Sequence, residues 1–230
     1  MATKFHRIPH YFIRFVRQNF RQVLQKPASR QRLLNFRYLR PYIRSRLFPS
    51  TDDQKPWLNY ELCQWINDLP RGLVIEFGAG RSTVWLARTG FHVLSIEHQE
   101  DWARKVRESL QAEKLNELVD LRLIDASEED ENSCQAYLSP LLSEADSSPP
   151  RMILVDGIFR NECLAASAEK YGNRTSIVLH DSDWPIYQDG VATLKKKFRL
   201  PSKRIFGPGY GTPDFTSAII FGKSDLFNAF

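Results

Sequence analysis

LVIEFGAGRSTVWLAR, residues 73 to 88, decides how the rest of the chain is read. It opens as a short apolar run with a β-branched pair, Val74 and Ile75, turns at Gly78-Ala79-Gly80, and continues into a helix whose expected cap is Ser82 or Thr83. Glycine permits the tight turn and keeps a Cβ away from a ligand approaching the unpaired N–H groups of a helix start. Glu76, just before the turn, sets the sign of that ligand. A pyrophosphate would be repelled there, and Thr83 stands where the dinucleotide fingerprint has its third glycine. A small ligand with cationic character fits better. The competing reading is a strand-to-helix turn whose glycines serve the backbone alone.

Outward from this stretch, strands and helices alternate. Leu58, Leu62, Trp65, Ile66 and Leu69 precede it at helical spacing. After it the pattern predicts a helix over 82–88, a strand over 92–97, a helix over 99–115 and a strand over 118–124. A short helix around 134–142, a strand over 152–155, a helix over 161–170, a strand over 176–179 and a helix over 187–198 follow. Five strands joined by helices imply an α/β fold, a Rossmann-like sandwich with a parallel sheet covered on both faces. Two further strands, near 204–206 and 217–221, flank GPGYGTPDF, which is too short for a helical crossover, so they are expected to pair antiparallel. The loop 207–214, with Tyr210 and three glycines, is expected to act as a lid over a ligand, or else as a plain hairpin turn.

With 230 residues, 42% hydrophobic and 12% aromatic, the chain can bury a sizeable core, and it reads as one domain, 51–230, behind a basic extension, 1–50. The net charge of +5 hides an asymmetry. Residues 1–50 hold 12 of the 32 lysines and arginines and none of the 27 acids, leaving 20 basic against 27 acidic side chains in 51–230, net −7. In the extension, Phe12, Phe15, Val16, Phe20 and Val23 share one helical face opposite Arg14, Arg17 and Arg21. Pro27 ends that amphipathic helix, and a second basic helical stretch stops before Pro41. Three readings of the arm stay open: packing on its own domain with Arg outward, anchoring to a membrane surface, or contacting nucleic acid or a partner, with organelle targeting a lesser option. Cys63, Cys134 and Cys163 are scattered and lack metal-ligand spacing, which favours a reduced, intracellular, cytoplasmic setting. No apolar run approaches the ~20 residues that cross a bilayer. The expectation is a soluble protein, or one peripheral to a membrane.

Ligands of open α/β sheets bind beyond the carboxyl ends of the strands. Here those ends are acidic: Glu76, Glu97, Asp125 and Asp156 on the first four, with Asp181 and Asp183 just after the fifth. Like charges crowded in one crevice require a cation or hydrogen-bond donors to offset them. On these residues the chain resembles the class I S-adenosylmethionine (SAM)-dependent methyltransferases. Glu76-Phe77-Gly78-Ala79-Gly80 matches their first motif, an acid before G-x-G, and Ser82 stands where that family often has a third glycine. The resemblance covers residues 57–222. It implies SAM as cofactor and five parallel strands closed by an antiparallel hairpin. It also implies that Glu97, 17 residues after Gly80, accepts from both ribose hydroxyls, and that His98 flanks the adenine. Asp125 and Ala126 match the position that takes the adenine amino group and faces its ring, and Asp156 the one beside the methionine moiety and the methyl acceptor. The plainer alternatives are a surface role for His98 and turn roles for Asp125 and Asp156.

VDGIFRNECLAASAEKYGNRTSIVLHDSDW resembles, more narrowly, the small-molecule O-methyltransferases of this class. In their cation-dependent members an aspartate after the fourth strand and an Asp-Asn pair after the fifth hold a divalent ion. Asp156 and Asp181 match, but Ser182 replaces the asparagine, which leaves a divalent metal possible but doubtful, since a hard cation wants several oxygen ligands. His180, with an ordinary pKa of ~6.5, suits a general base whose ring Asp181 orients, or else a histidine bonded within the strand-end turn. The function these residues imply is methyl transfer from SAM to an oxygen of a small-molecule acceptor, with His180, Asp156 and Asp181 as the catalytic group. Against it stand an RNA or protein methyltransferase steered by the basic arm, and a catalytically silent SAM-binding or membrane-associated interaction module. A nucleic-acid partner finds no support in the acidic domain, and an NAD-dependent oxidoreductase is opposed by Glu76.

Overall fold

Val74 and Ile75 stand on opposite faces of one strand and both are fully buried, as a sheet covered on two sides requires. The computed structural model describes residues 55–130, 132–145, 148–211 and 215–222. The expectations for residues 1–50 lie outside that set. Strands β1 (Leu73–Phe77), β2 (His92–Glu97), β3 (Val119–Leu123), β4 (Met152–Val155) and β5 (Ser176–His180) are parallel. With β6 (Ser202–Pro208) and β7 (Phe215–Phe221) they form one seven-stranded sheet in the order β3-β2-β1-β4-β5-β7-β6. The predicted hairpin is present, and its second strand lies inside the first: β7 runs antiparallel to both β5 and β6.

Among the described residues six helices cover the sheet: α1 (Tyr60–Asp68), α2 (Arg81–Arg88), α3 (Glu100–Ala112), α4 (Ser133–Ser143), α5 (Arg160–Tyr171) and α6 (Gln188–Lys196). The alternation along the strands sorts the core into two layers. Ile75, Ile96, Ile153 and Leu179 pack against Tyr137 of α4, Leu164 of α5 and Leu194 of α6. Val74, Met152, Val178 and Ile220 pack against Leu62 and Ile66 of α1 and Leu86 of α2. Val106 and Leu110 attach α3 to α2 through Val84 and Ala87. Each such aliphatic side chain contributes about 1.5–3 kcal/mol when fully buried.

Two local features differ from expectation. α1 starts only at Tyr60 because Asn59 caps it, its Oδ1 accepting from the Leu62 N–H at 2.8 Å, which leaves Trp57 and Leu58 ahead of the helix. The stretch 207–211, expected as part of a lid or a plain hairpin turn, is bonded to the segment ahead of α1. Gly207 and Pro208 finish β6, and the Tyr210 and Gly211 N–H groups donate to Leu58 O at 2.7 Å and Pro56 O at 2.8 Å. The Tyr210 ring also meets Tyr60 edge-on at 4.8 Å. Residues 212–214 lie outside the described set. Among the described residues no helix is long and apolar enough to cross a membrane.

Candidate functional site

From β1 the sheet continues to β2 on one side and to β4 on the other, so the carboxyl ends of β1 and β4 bound a crevice at the point where strand order reverses. A cleft of about 540 Å³ opens there, within the usual range for a small-ligand site. Its floor is the turn after β1. Gly78 has φ +94°, and an added Cβ would lie 2.7 Å from the Gly157 backbone on the neighbouring turn, so only glycine fits. The turn differs from its expected form in its donors. Gly78 N–H donates to Ile96 O at 2.8 Å, and Gly80 N–H to Thr83 Oγ1 at 2.8 Å. Gly80, and neither Ser82 nor Thr83, is the residue at the helix cap. Both glycine donors are therefore used within the fold, and a ligand would meet the remaining N–H groups of the first turn of α2.

Glu76 lies beneath this floor, fully buried and off the cleft wall. Its Oε2 accepts from Thr83 Oγ1 at 2.5 Å and from Ser95 Oγ at 2.8 Å, while Oε1 has no partner. Burial pushes its carboxyl up to about 7, further than the Ser82, Thr83 and Ser95 hydroxyls pull it down. A folded-state value above the unfolded one means that this group favours the fold at low pH, and that the advantage disappears as pH rises from about 4.5 through about 7. Glu76→Gln removes the titration. The variant's unfolding free energy relative to wild type is expected to rise by on the order of 3 kcal/mol between pH 5 and pH 8. Parallel urea titrations at the two pH values measure it, and a difference independent of pH would contradict the assignment.

At the end of β2, Glu97 is 3% exposed and lines the cleft. Oε1 accepts the N–H groups of His98 and Gln99, each at 2.8 Å, which fixes the carboxylate and leaves Oε2 for a ligand. His98 lies on the same wall, its ring edge-on to Tyr137 at 6.3 Å. Asp125 is exposed and neither it nor the buried Ala126 lines the cleft. At the rim, the Trp102 indole N–H donates to Ala79 O, and Trp57 stands 6.2 Å from Trp102 with the Arg81 guanidinium 5.4 Å above its ring.

The other end of the cleft gathers Asp156, His180 and Asp181. His180 is 4% exposed; its Nδ1 lies 3.0 Å from Asp156 Oδ1 and 3.6 Å from Asp181 Oδ2, and Nε2 is buried without a partner. Burial alone would lower the imidazole pKa, but Asp156 and Asp181 outweigh it and hold the value above the ordinary one. Asp156 shows the converse: burial would raise its carboxyl, yet the His180 and Arg160 charges keep it below the usual range. Asp183 turns away from this group, its carboxylate accepting from Ser217 Oγ.

Arg160 is the residue that sequence reasoning missed. Its guanidinium lines the cleft 3.2 Å from Asp156 Oδ1. The spacing of four from Asp156 is visible, but both residues fall ahead of the helix expected over 161–170, so nothing in the pattern pairs them, whereas Arg160 is in fact the first residue of α5. With Arg81 it puts two cations on a wall expected to be acidic. Asp156, His180 and Asp181 offer ligand atoms within 4.8 Å of one another. They fit a divalent ion poorly, because Asp156 Oδ1 already meets His180 Nδ1 and the Arg160 guanidinium, and Ser182 is fully buried off the wall.

No protein-family model matches the sequence, and no curated protein is significantly similar to it. Solved structures do match. A putative O-methyltransferase from Klebsiella pneumoniae is 17% identical with a TM-score of 0.56, over 79% of this chain and 95% of that one. The O-methyltransferase TomG from Streptomyces achromogenes, solved in complex with SAM, is 16% identical with a TM-score of 0.51, over 81% and 89%. The B. subtilis tRNA methyltransferase TrmK is 12% identical with a TM-score of 0.51, over 75% and 69%. At these identities the likeness is one of fold. The chain has the fold of class I SAM-dependent methyltransferases, which serves enzymes acting on different acceptors.

Proposed function

We propose that this chain is a SAM-dependent methyltransferase that methylates a hydroxyl oxygen of a small molecule. The observation that carries the cofactor is Glu97, a carboxylate clamped through Oε1 at the strand-order reversal with Oε2 left to the cleft. That oxygen suits the two hydroxyls of a ribose, His98 borders the adenine side, and the first turn of α2 takes the polar end of the amino-acid arm. Bound SAM supplies an electrophilic methyl group on a cationic sulfur. At the far end, Asp156 accepts the Nδ1 proton of His180, a tautomer assigned from the bonding pattern, so that Nε2, covered in this structure, carries the lone pair that takes the acceptor's hydroxyl proton once acceptor binding uncovers it. Nearby, the exposed Trp184 and Ile186, with the half-buried Tyr187 ring stacked 6.2 Å from that of Trp184, form a shelf that suits an acceptor with an apolar body.

Glu97→Gln tests the cofactor site. The two backbone donors lock the amide oxygen at the Oε1 position, so the variant turns an NH₂ group toward hydroxyls that must donate. Calorimetry should show SAM binding weakened by about 1.5–3 kcal/mol with Tm unchanged. Equal affinity in both proteins would remove Glu97 from the site. Absence of SAM binding to the wild type, or NAD binding in its place, would remove the methyltransferase reading.

A further inference from the structure

We propose that the Arg160 guanidinium is the resident cation of the Asp156–His180–Asp181 cluster, standing where a divalent ion would stand, and that it keeps such ions out. The use made of the site rests on the methyltransferase reading; the exclusion of metal is a property of the side chains themselves.

The local chain explains how the arginine reaches this place. Phe159, in left-handed conformation at φ 51°, turns the backbone after β4 so that Arg160, the first residue of α5, folds back over the strand ends. Nε donates to Gly157 O at 2.9 Å, Nη2 to Asp156 O at 2.9 Å, and Nη1 to His180 O at 3.0 Å. The ring of Tyr187 lies 4.8 Å from the guanidinium carbon. Three carbonyls from the ends of β4 and β5, one carboxylate and one aromatic ring thus fix a planar fork that stays charged at any pH the protein survives. Arg160 is only 12% exposed, so its charge is little screened by solvent.

Two consequences follow. The guanidinium offsets one of the two carboxylates beside His180, a role for which cation-dependent sites use a metal. It also fixes Asp156, whose Oδ1 orients the imidazole, so Arg160 is a positioning residue that acts through Asp156 and His180. A divalent ion seeking Asp156 Oδ1 would meet a fixed positive charge within contact distance and would have to displace two existing partners.

The test is a Mn²⁺ titration of the full chain followed by electron paramagnetic resonance, with SAM binding measured in parallel by calorimetry. Wild type is expected to take up no Mn²⁺ at the cluster. Arg160→Met should bind Mn²⁺ at least tenfold more tightly than wild type, and the gain should vanish in Arg160→Met/Asp181→Asn. Arg160→Lys, which keeps the charge and loses the fork, should still exclude the ion, an outcome that a merely structural arginine would not produce. Where Arg160→Met fails to fold, Arg160→Gln carries the same comparison. Mn²⁺ binding to wild type that Asp156→Asn abolishes would overturn the proposal, as would a folded, uncharged variant that binds no better than wild type. SAM is scored separately: a wild type that excludes Mn²⁺ but binds no SAM refutes the methyltransferase reading and leaves the arginine assignment standing.

Discussion

Gly78→Ala should cost about 3 kcal/mol or more of stability and lower Tm by roughly 6–12 °C for a domain of this size. Two effects add. The residue has φ +94°, a conformation in which an L side chain is strained by about 1–2 kcal/mol. The added Cβ would also lie 2.7 Å from both Cα and N of Gly157 and 2.9 Å from the Asp156 carbonyl carbon. These are backbone atoms at the end of a central parallel strand, so no side chain can swing aside to make room. Gly172→Ala separates the two contributions. That glycine also has positive φ, +53°, but nothing lies within 4 Å of its added Cβ, so only the conformational part is lost. Thermal unfolding followed by circular dichroism should rank Gly78→Ala well below Gly172→Ala. Equal losses would mean that the two turns are not packed against each other as described.

This contact marks the boundary of what the sequence makes legible. The strands β1, β2 and β4 fall where the apolar runs place them, because a strand buried on both faces has few polar positions to blur its ends. Glu97 was legible too, as an acid ending an apolar strand at a recognisable interval after a glycine turn. That the turn's own N–H groups are occupied was not, since one partner is the Ile96 carbonyl on the next strand and the other a hydroxyl inside the helix. Nor was the tie between Tyr210 and Leu58, backbone atoms some 150 residues apart whose pairing leaves no mark in side-chain pattern. Arg160 was hidden for a related reason. Its acceptors are mostly carbonyls, which every residue has, so nothing in the identity of Gly157 or His180 points to it. Trp57 and Trp102, to which the sequence pattern gave no part in the site, form the cleft rim.

His180→Ala should lower kcat by roughly 10²–10⁴-fold on a hydroxyl acceptor while leaving SAM affinity within twofold of wild type, because the imidazole would act on the acceptor's proton and make no contact the cofactor needs. The pH dependence follows from the same geometry. Asp156 and Asp181 hold the imidazole above its ordinary value against the effect of burial, so the ring stays protonated, and unable to accept a proton, to higher pH than an ordinary histidine would. kcat/KM should therefore rise with pH through the His180 value and level off above it. Asp181→Asn removes one of the charges that raise this value and should move the rising limb to lower pH, with proton NMR of the imidazole reporting the same displacement without any acceptor present. Asp156→Asn should do more than shift the limb. It replaces the acceptor that fixes the Nδ1 proton, so the other tautomer becomes available and the plateau itself should fall. A flat profile in wild type, with unchanged turnover in His180→Ala, would mean that the acceptor arrives already ionised or that in-line positioning alone drives transfer. Asp156 and Arg160 would then serve to close the end of the cleft, and the acceptor to seek would be one acidic enough to need no base.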